Sequence, residues 1–332
     1  MARVRLAELA KIADVSLATV SRVLNQSGYV AEDVRSRVER AVQETGYVHP
    51  AHKRPLCTSK LIGLVTMNGI FNPYFERMTQ SLSEKAEQQG YYCIQVSSAE
   101  IDNDALALHA ERLISLGVCG IVVCSFDEEH LGDNARTALG RSDVPVVFLE
   151  RSGGCYGFNR VLIDNELGVY SATRHLIEQG HKNLLYISWY RLSAVERSRV
   201  KGFTRAIAEA SEGSIAYQVQ TCTSPTHSAA MQAMQTAFEK DSKITGVVTW
   251  NDIFAVGALH HLNKIGLNVP SDVELIGHDN VLAPTLNPPL SSVEMPIDEI
   301  AVAAIEIIDK SQNQKTPPFP RTITLEPRLV IR

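Results

Sequence analysis

Apolar residues recur every three or four positions in three short stretches of the first 45 residues, the spacing of helices with one packed face. Leu6, Leu9, Ala10 and Ala13 form the first stripe and predict a helix over about 6–12. A second helix follows Ser16, whose hydroxyl stands where an N-cap oxygen is needed. On it Leu17, Ala18, Ser21 and Arg22 share one arc, while Thr19, Val20 and Val23 fall on the opposite, packing arc. Asp14 occupies the tight turn between the two, a place Gly takes most easily and Asp tolerates. Val34, Val38, Ala41 and Val42 set a third helix over 32–44, with Arg35, Arg37 and Arg40 outside and Gly46 as its stop.

Beyond residue 60 the pattern changes. Continuous apolar runs, the mark of strands buried on both faces, alternate with helix-period segments. Strands are expected at 61–67, 92–97, 119–124, 144–149 and 161–164, and then at 183–188, 217–221, 246–250, 274–278 and 291–295. Helices are expected at 74–89, 105–116, 168–179, 196–209, 227–240, 254–265 and 297–308, and 321–330 is a last extended run. Strand-helix order runs through two similar halves that break near 160, the signature of parallel α/β layers.

Composition is that of an ordinary globular chain: 332 residues, 45% hydrophobic and 21% charged. Charge is uneven. Residues 1–60 hold ten Lys/Arg against six Asp/Glu, so a head of +4 sits on a chain of net charge -5, and the remainder carries -9. A basic head on an acidic body suits a DNA reader. The second helix presents what a major-groove edge requires, a short polar face with a hydroxyl donor and a cationic anchor in Ser21 and Arg22. The six cysteines are scattered, with no two-residue spacing of a zinc or redox motif. Adjacent His260-His261 point apart on a helix and the trio His49, His52 and Cys57 lies in the linker, so no metal site is expected at either. No uncharged run approaches a membrane span and the N-terminus lacks a secretory apolar core, so a cytoplasmic protein is expected.

The run Val15-Ser16 with Thr19-Val20-Ser21-Arg22-Val23-Leu24-Asn25, together with Val38, Ala41 and Gly46-Tyr47, closely resembles the LacI/GalR family of bacterial transcription regulators. Weaker echoes are Asn72-Pro73-Tyr74-Phe75, Gly180-His181, Arg199-Val200-Lys201-Gly202-Phe203, Asn251-Asp252 and Ile276-Gly277-His278-Asp279-Asn280. The resemblance implies an α/β protein: an N-terminal all-α helix-turn-helix head joined to a two-lobed, periplasmic-binding-protein-like core of parallel sheets. The head would span 1–47, a linker or hinge 48–60, and an effector-binding and dimerisation body 61–332, with chain crossings near 158–162, 287–292 and 320–325. Lobe 1 would take about 61–160 and 292–321, and lobe 2 about 162–288 and 324–332. The expected DNA-binding residues are Ser16, Leu17, Ala18, Thr19, Ser21, Arg22 and Asn25, with Leu56 of Arg54-Pro55-Leu56 as the nearest match to the family's minor-groove wedge. The segment from Gly46 to Gly63 is about two residues short of the family's hinge, so an unstructured tether stands beside the wedge reading.

Ligands of open α/β sheets bind beyond the carboxyl ends of the strands. Polar residues just after the predicted strands are therefore the effector candidates: Asn72, Tyr74 and Phe75, then Glu150 and Arg151, Trp189, Arg199, Asn251 and Asp279. Such a mixture of amides, carboxylates, cations and aromatic faces suits a polyhydroxylated ligand. In the family the positions matching Arg199, Asn251 and Asp279 bind the effector, and those matching Tyr74-Phe75 and Glu150-Arg151 line the same cleft. Trp189 replaces a usual Gly, Met295 a common Gln, His278 a usual Tyr and Glu150 a usual Asp, which points to an unusual effector.

The sequence thus reads as a regulator that binds a pseudo-palindromic operator in double-stranded DNA as a homodimer or tetramer. It is expected to be a repressor released by a small sugar-like effector, without cofactor, metal or membrane. A corepressor-dependent regulator with a purine-like ligand is the alternative. An α/β enzyme on a DNA-binding head would need Gly-x-Ser-x-Gly or Gly-x-Gly-x-x-Gly, and neither occurs.

Overall fold

The computed structural model describes residues 6–24, 30–45, 59–67, 72–98, 103–124, 131–140, 144–150, 155, 157–189, 193–210, 215–312 and 320–332. The chain forms two compact units. The first comprises 1–69, 79–162 and 298–323, and the second 70–78, 163–297 and 324–332.

The first unit begins with three helices, α1 (Leu6–Ile12), α2 (Leu17–Leu24) and α3 (Glu32–Thr45). Leu9, Ala10, Ala13, Val20, Val23, Leu24, Val38, Ala41 and Val42 are buried together as a core of their own, with Leu6, Val15 and Val30 packed on its edge. The turn after α1 places Asp14 at φ +51, the left-handed conformation that a short polar side chain tolerates. Two details depart from the periodicity. Thr19, expected to pack, is half-exposed because its hydroxyl meets that of Ser16 at 2.8 Å. Arg35, expected outside, is 5% exposed. One turn on, burial pushes the Glu39 carboxyl up to about 7, against the fields of Arg35, Arg160 and Arg136.

The rest of this unit is a sheet built from β1 (Leu61–Met67), β2 (Tyr92–Ser98), β3 (Gly120–Cys124), β4 (Val146–Leu149), β5 (Asn159–Ile163) and β11 (Thr322–Leu325), in the order β11-β5-β4-β3-β1-β2. The pairs from β2 through β5 are parallel, so helices must carry the chain back: α4 (Pro73–Gln88), α5 (Asn103–Ser115) and α6 (Asp133–Gly140). Phe148, Leu106, Leu113, Ile121 and Val123 anchor its core.

The second unit repeats the plan. β6 (Asn183–Trp189), β7 (Ala216–Cys222), β8 (Gly246–Thr249), β9 (Glu274–Asp279), β10 (Ser291–Glu294) and β12 (Arg328–Val330) lie in the order β12-β10-β9-β8-β6-β7. All its sequential pairs are parallel except β10 with β12. The helices are α7 (Asn165–Glu178), α8 (Ala194–Ala208), α9 (His227–Lys240) and α10 (Asp252–Lys264). Tyr186 and Phe203, stacked with centroids 5.5 Å apart, sit in a core with Val169, Leu176 and Ile276. α11 (Ile297–Gln312) returns the chain to the first unit.

Sequence and structure differ in three places. The second crossing, expected at 287–292, falls after Ile297, because β10 hydrogen-bonds to β9 and so belongs to the second unit. The last extended run breaks at Glu326-Pro327 into β11 and β12, which complete different sheets. The helix α6 was not expected at all: Asp133–Gly140 is eight residues long and buries only Ala135, Ala138 and Leu139.

Candidate functional site

The head and the second unit each gather functional side chains. In the head, Ser16 caps α2 by accepting the Thr19 amide at 3.0 Å. That leaves Leu17 half in solvent at 50% exposure, with Ala18 and Arg22 exposed beside it and Ser21 half-buried. Val20, Val23 and Leu24 hold the other face in the core. The shape is a short helix whose hydroxyl, apolar and guanidinium edge stands clear of its scaffold, as groove reading requires. Arg37 steadies the turn beneath it, its Nη1 reaching the Asp14 carbonyl at 3.4 Å and its carboxylate at 3.7 Å. Asn25 and Leu56 lie outside the described residues.

In the second unit, strand order reverses between β6 and β8, and the crevice at such a reversal is where α/β sheets take ligands. Trp189 ends β6 and Trp250-Asn251 follow β8. The two indoles meet there, centroids 4.7 Å apart and tilted by 53°. Asn251 caps α10 by accepting the Phe254 amide at 3.0 Å, which fixes its carbonyl and leaves its amide nitrogen buried without a partner among the described residues. Trp250 Nε1 is likewise buried with no partner among the described residues.

Arg199 comes from α8, where Ser193 caps the helix. Its Nε donates to Asn165 Oδ1 at 2.8 Å and its Nη1 to the Trp250 carbonyl at 2.5 Å. Its guanidinium carbon stands 5.5 Å from the Trp250 ring centroid. The guanidinium therefore frames the crevice as well as charging it.

Asp279 ends β9 at φ +98, and Asn280 follows at +55. Consecutive left-handed residues that are not glycine store strain, and strain of this kind collects at functional sites. Burial pushes the Asp279 carboxyl up to about 7, opposed by the field of Arg199 and a hydrogen bond with Asn72. His278, held neutral by burial, stands 3.3 Å from it through Nδ1. Behind this turn Asp252 Oδ2 accepts three successive amides, Val281, Leu282 and Ala283, at 2.8–3.0 Å, and its Oδ1 accepts the Ser292 hydroxyl at 2.8 Å. Gly277 makes room for that carboxylate: a Cβ there would come within 2.4 Å of Asp252 Oδ1.

Asn72 belongs to this unit too, where its side chain accepts the Tyr74 amide at 3.1 Å and starts α4. Tyr74 is buried, and its ring meets Phe75 edge-on at 5.5 Å. The second unit thus contains Asn72, Tyr74, Phe75, Trp189, Arg199, Asn251 and Asp279. Glu150 lies in the first unit, closing β4 at φ +57 with its amide on the Val161 carbonyl, and Arg151 is outside the described residues.

Two residues of this crevice escaped the sequence reading, Asn165 and Glu196, while Asp252, quoted there beside Asn251, holds the turn. Asn165 carries no spacing signal of its own. Glu196 did, in Ser193-Ala194-Val195-Glu196, the spacing of a capping box. Its amide does bond to Ser193 Oγ at 3.0 Å, but its carboxylate turns instead to the Ser188 hydroxyl at 2.5 Å. Among the described residues no group of His, Cys, Asp and Glu is arranged to hold a metal, and no helix is long and apolar enough to cross a membrane.

Comparison with known proteins bears on the family and the fold. Residues 5–50 match the lacI family of bacterial regulatory proteins, and 173–332 a periplasmic binding protein-like domain. The HTH-type transcriptional repressor PurR of Actinobacillus pleuropneumoniae is 30% identical over 98% of this chain and 96% of its own. The HTH-type transcriptional regulator DegA of Bacillus subtilis is 27% identical over the same shares. In fold, the transcriptional regulator CelR in complex with cellobiose matches with a TM-score of 0.70 over 99% of both chains at 24% identity. The lac repressor dimer bound to operator and the anti-inducer ONPF matches with a TM-score of 0.68 over 99% of this chain and 98% of that one at 22% identity. The chain belongs to the LacI family and is a DNA-binding transcription regulator.

Proposed function

We propose that this regulator is a repressor whose hold on its operator is set by a small, polyhydroxylated effector bound at the carboxyl ends of the second unit's strands. The observation that supports this most is the crevice where β6 and β8 part: a strained Asp279, a fixed Arg199, two indoles, and buried polar atoms on Trp250 and Asn251 that have no hydrogen-bond partner among the described residues. A buried donor without an acceptor is costly, and a bound ligand relieves that cost. The solved structure of CelR in complex with cellobiose offers a parallel among the similar folds. Ser16, Leu17, Ala18, Thr19, Ser21, Arg22 and Asn25 are proposed to read the operator. One reading helix contacts too few bases, so a homodimer on a pseudo-palindromic site is proposed as the working form, with residues 48–60 as linker and Leu56 as its wedge. Reading DNA places its work in the cytoplasm, and no catalytic step is proposed.

The relatives named PurR favour a second reading, a flat purine-like corepressor seated on the indoles. The sign of the ligand's effect separates the two. Operator fragments selected from random DNA would be titrated by fluorescence anisotropy with sugars and with purines. A sugar that weakens binding supports induction, and a purine that strengthens it supports corepression. The Asp279→Asn variant, expected to keep operator binding and lose the ligand response, tests the site itself.

A further inference from the structure

Glu196 stands at the carboxyl ends of β6 and β7, 5% exposed, between the Ser188 hydroxyl, the Trp189 backbone amide and Cys222. Oε1 takes the Ser188 hydroxyl, whereas Oε2 is shut from solvent and has no donor among the described residues. The nearby cation does not complete it. Arg199 directs Nε to Asn165 and Nη1 to the Trp250 carbonyl, and its field is shared with Asp279. Asp252, the third carboxylate here, is already met by three amides and a hydroxyl. Two carboxyls, Glu196 and Asp279, therefore share the field of one guanidinium; burial pushes both up to about 7, so each takes a proton where a cation would otherwise hold it ionised. Beside them stand two indole faces, the surface to which a cation is drawn.

We propose that the effector carries a protonated amino group, as an amino sugar does, and that Glu196 selects it. This deepens the effector reading above and rests on it. The ammonium would donate to Glu196 Oε2 and hold that carboxylate ionised while the sugar ring lies against the indoles. A hydroxyl would supply the hydrogen bond but leave the carboxylate unpaired, and a charge-assisted bond is about twice as strong as a neutral one. The Tyr186 phenol, the Cys222 thiol and Arg199 are the other titratable groups whose fields reach this carboxylate, and none of the three supplies a cation free to pair with it.

The test is isothermal titration of the full chain at pH 7 with glucosamine, galactosamine and mannosamine, each against its parent hexose and its N-acetyl derivative. The expected result is that one amine binds about tenfold or more tighter than both of its neutral relatives, and that in Glu196→Gln the same amine and its parent hexose bind with affinities within about threefold of each other. Equal affinity for amine and parent, an amine preference that persists in Glu196→Gln, or no binding by any of the three amines overturns the proposal. Should Glu196→Gln fail to fold, the wild-type comparison of amine with parent decides. Operator titrations with the same compounds keep the two levels apart. A neutral sugar that shifts operator affinity sinks the amino group and leaves the effector reading standing, whereas no shift with any compound counts against both.

Discussion

Arg199 donates from Nη1 to the backbone carbonyl of Trp250 at 2.5 Å, tying the helix after β6 to the strand end of β8 across the reversal in sheet order. The same guanidinium holds Asn165 through Nε. Removing it strips two buried acceptors of their donors, at about 1–3 kcal/mol each. Arg199→Ala should therefore lower the unfolding free energy as well as abolish any ligand response. Urea denaturation of the two proteins checks it, and unchanged stability would mean that Arg199 serves the ligand alone.

In the head, Arg22 is exposed on the face of α2 opposite the buried Val20 and Leu24. Arg22→Ala should cost roughly 1–3 kcal/mol of operator affinity, concentrated at one base pair if the contact is bidentate to guanine. Titration against single-base operator variants reads this directly. Equal affinity and equal base preference would remove Arg22 from the reading surface.

Leu56→Ala should weaken operator binding and leave ligand affinity at the wild-type value, since a minor-groove wedge acts only on DNA. Wild-type operator binding in this variant would establish the tether reading of residues 48–60.

Gly277 is fixed by the Asp252 carboxylate, which would lie 2.4 Å from an added Cβ. Gly277→Ala should push Asp252 off its three amides and loosen the turn that carries Asp279. A loss of about 1–3 kcal/mol is expected, the range of overpacking in a filled core. Thermal unfolding with and without ligand would show both the lower midpoint and the lost response.

Burial pushes the Glu196 carboxyl up to about 7 from its ordinary 4.5, against the pull of the Ser188 hydrogen bond and Arg199. The folded protein therefore binds the proton more tightly than the unfolded chain, so this group destabilises progressively as pH rises from about 4.5 to about 7 and is constant above. Glu196→Gln lacks that penalty. Its stability relative to wild type should increase by roughly 2–3 kcal/mol between pH 5 and pH 8, the worth of about two pKa units. Denaturation curves at the two pH values suffice, and a pH-independent difference would show Glu196 to be ordinarily solvated. Taking the difference cancels His278, whose buried neutral form gives the opposite slope.

What could be read from the sequence was whatever depends on local spacing. Leu9, Val20 and Val38 declared the head core by their periods, and the apolar runs of β6, β8 and β9 declared a parallel sheet. Asp279 and Asn251 were legible as polar residues just past such runs. Glu196 was not singled out, because Ser193-Ala194-Val195-Glu196 looks like a cap, and only the fold brings Ser188 to its carboxylate. Arg35 looked like one of three outward arginines until tertiary contact buried it. α11 was expected to end at Ile308 but runs to Gln312, whose Nε2 is held by the Cys119 carbonyl, a partner 193 residues away in sequence. Arg35 and Gln312 are decided by contacts between distant segments, to which periodicity is blind.

The strands β11 and β12, parted only by Glu326-Pro327, finish two different sheets. During synthesis, then, neither sheet has its full set of strands until residues 322–330 have left the ribosome. Both units must wait, unfinished at one edge, for the same short piece of chain. A premature stop anywhere before it would leave β5 and β10 each without its outer neighbour, so a single lesion leaves both sheets with an open edge at once.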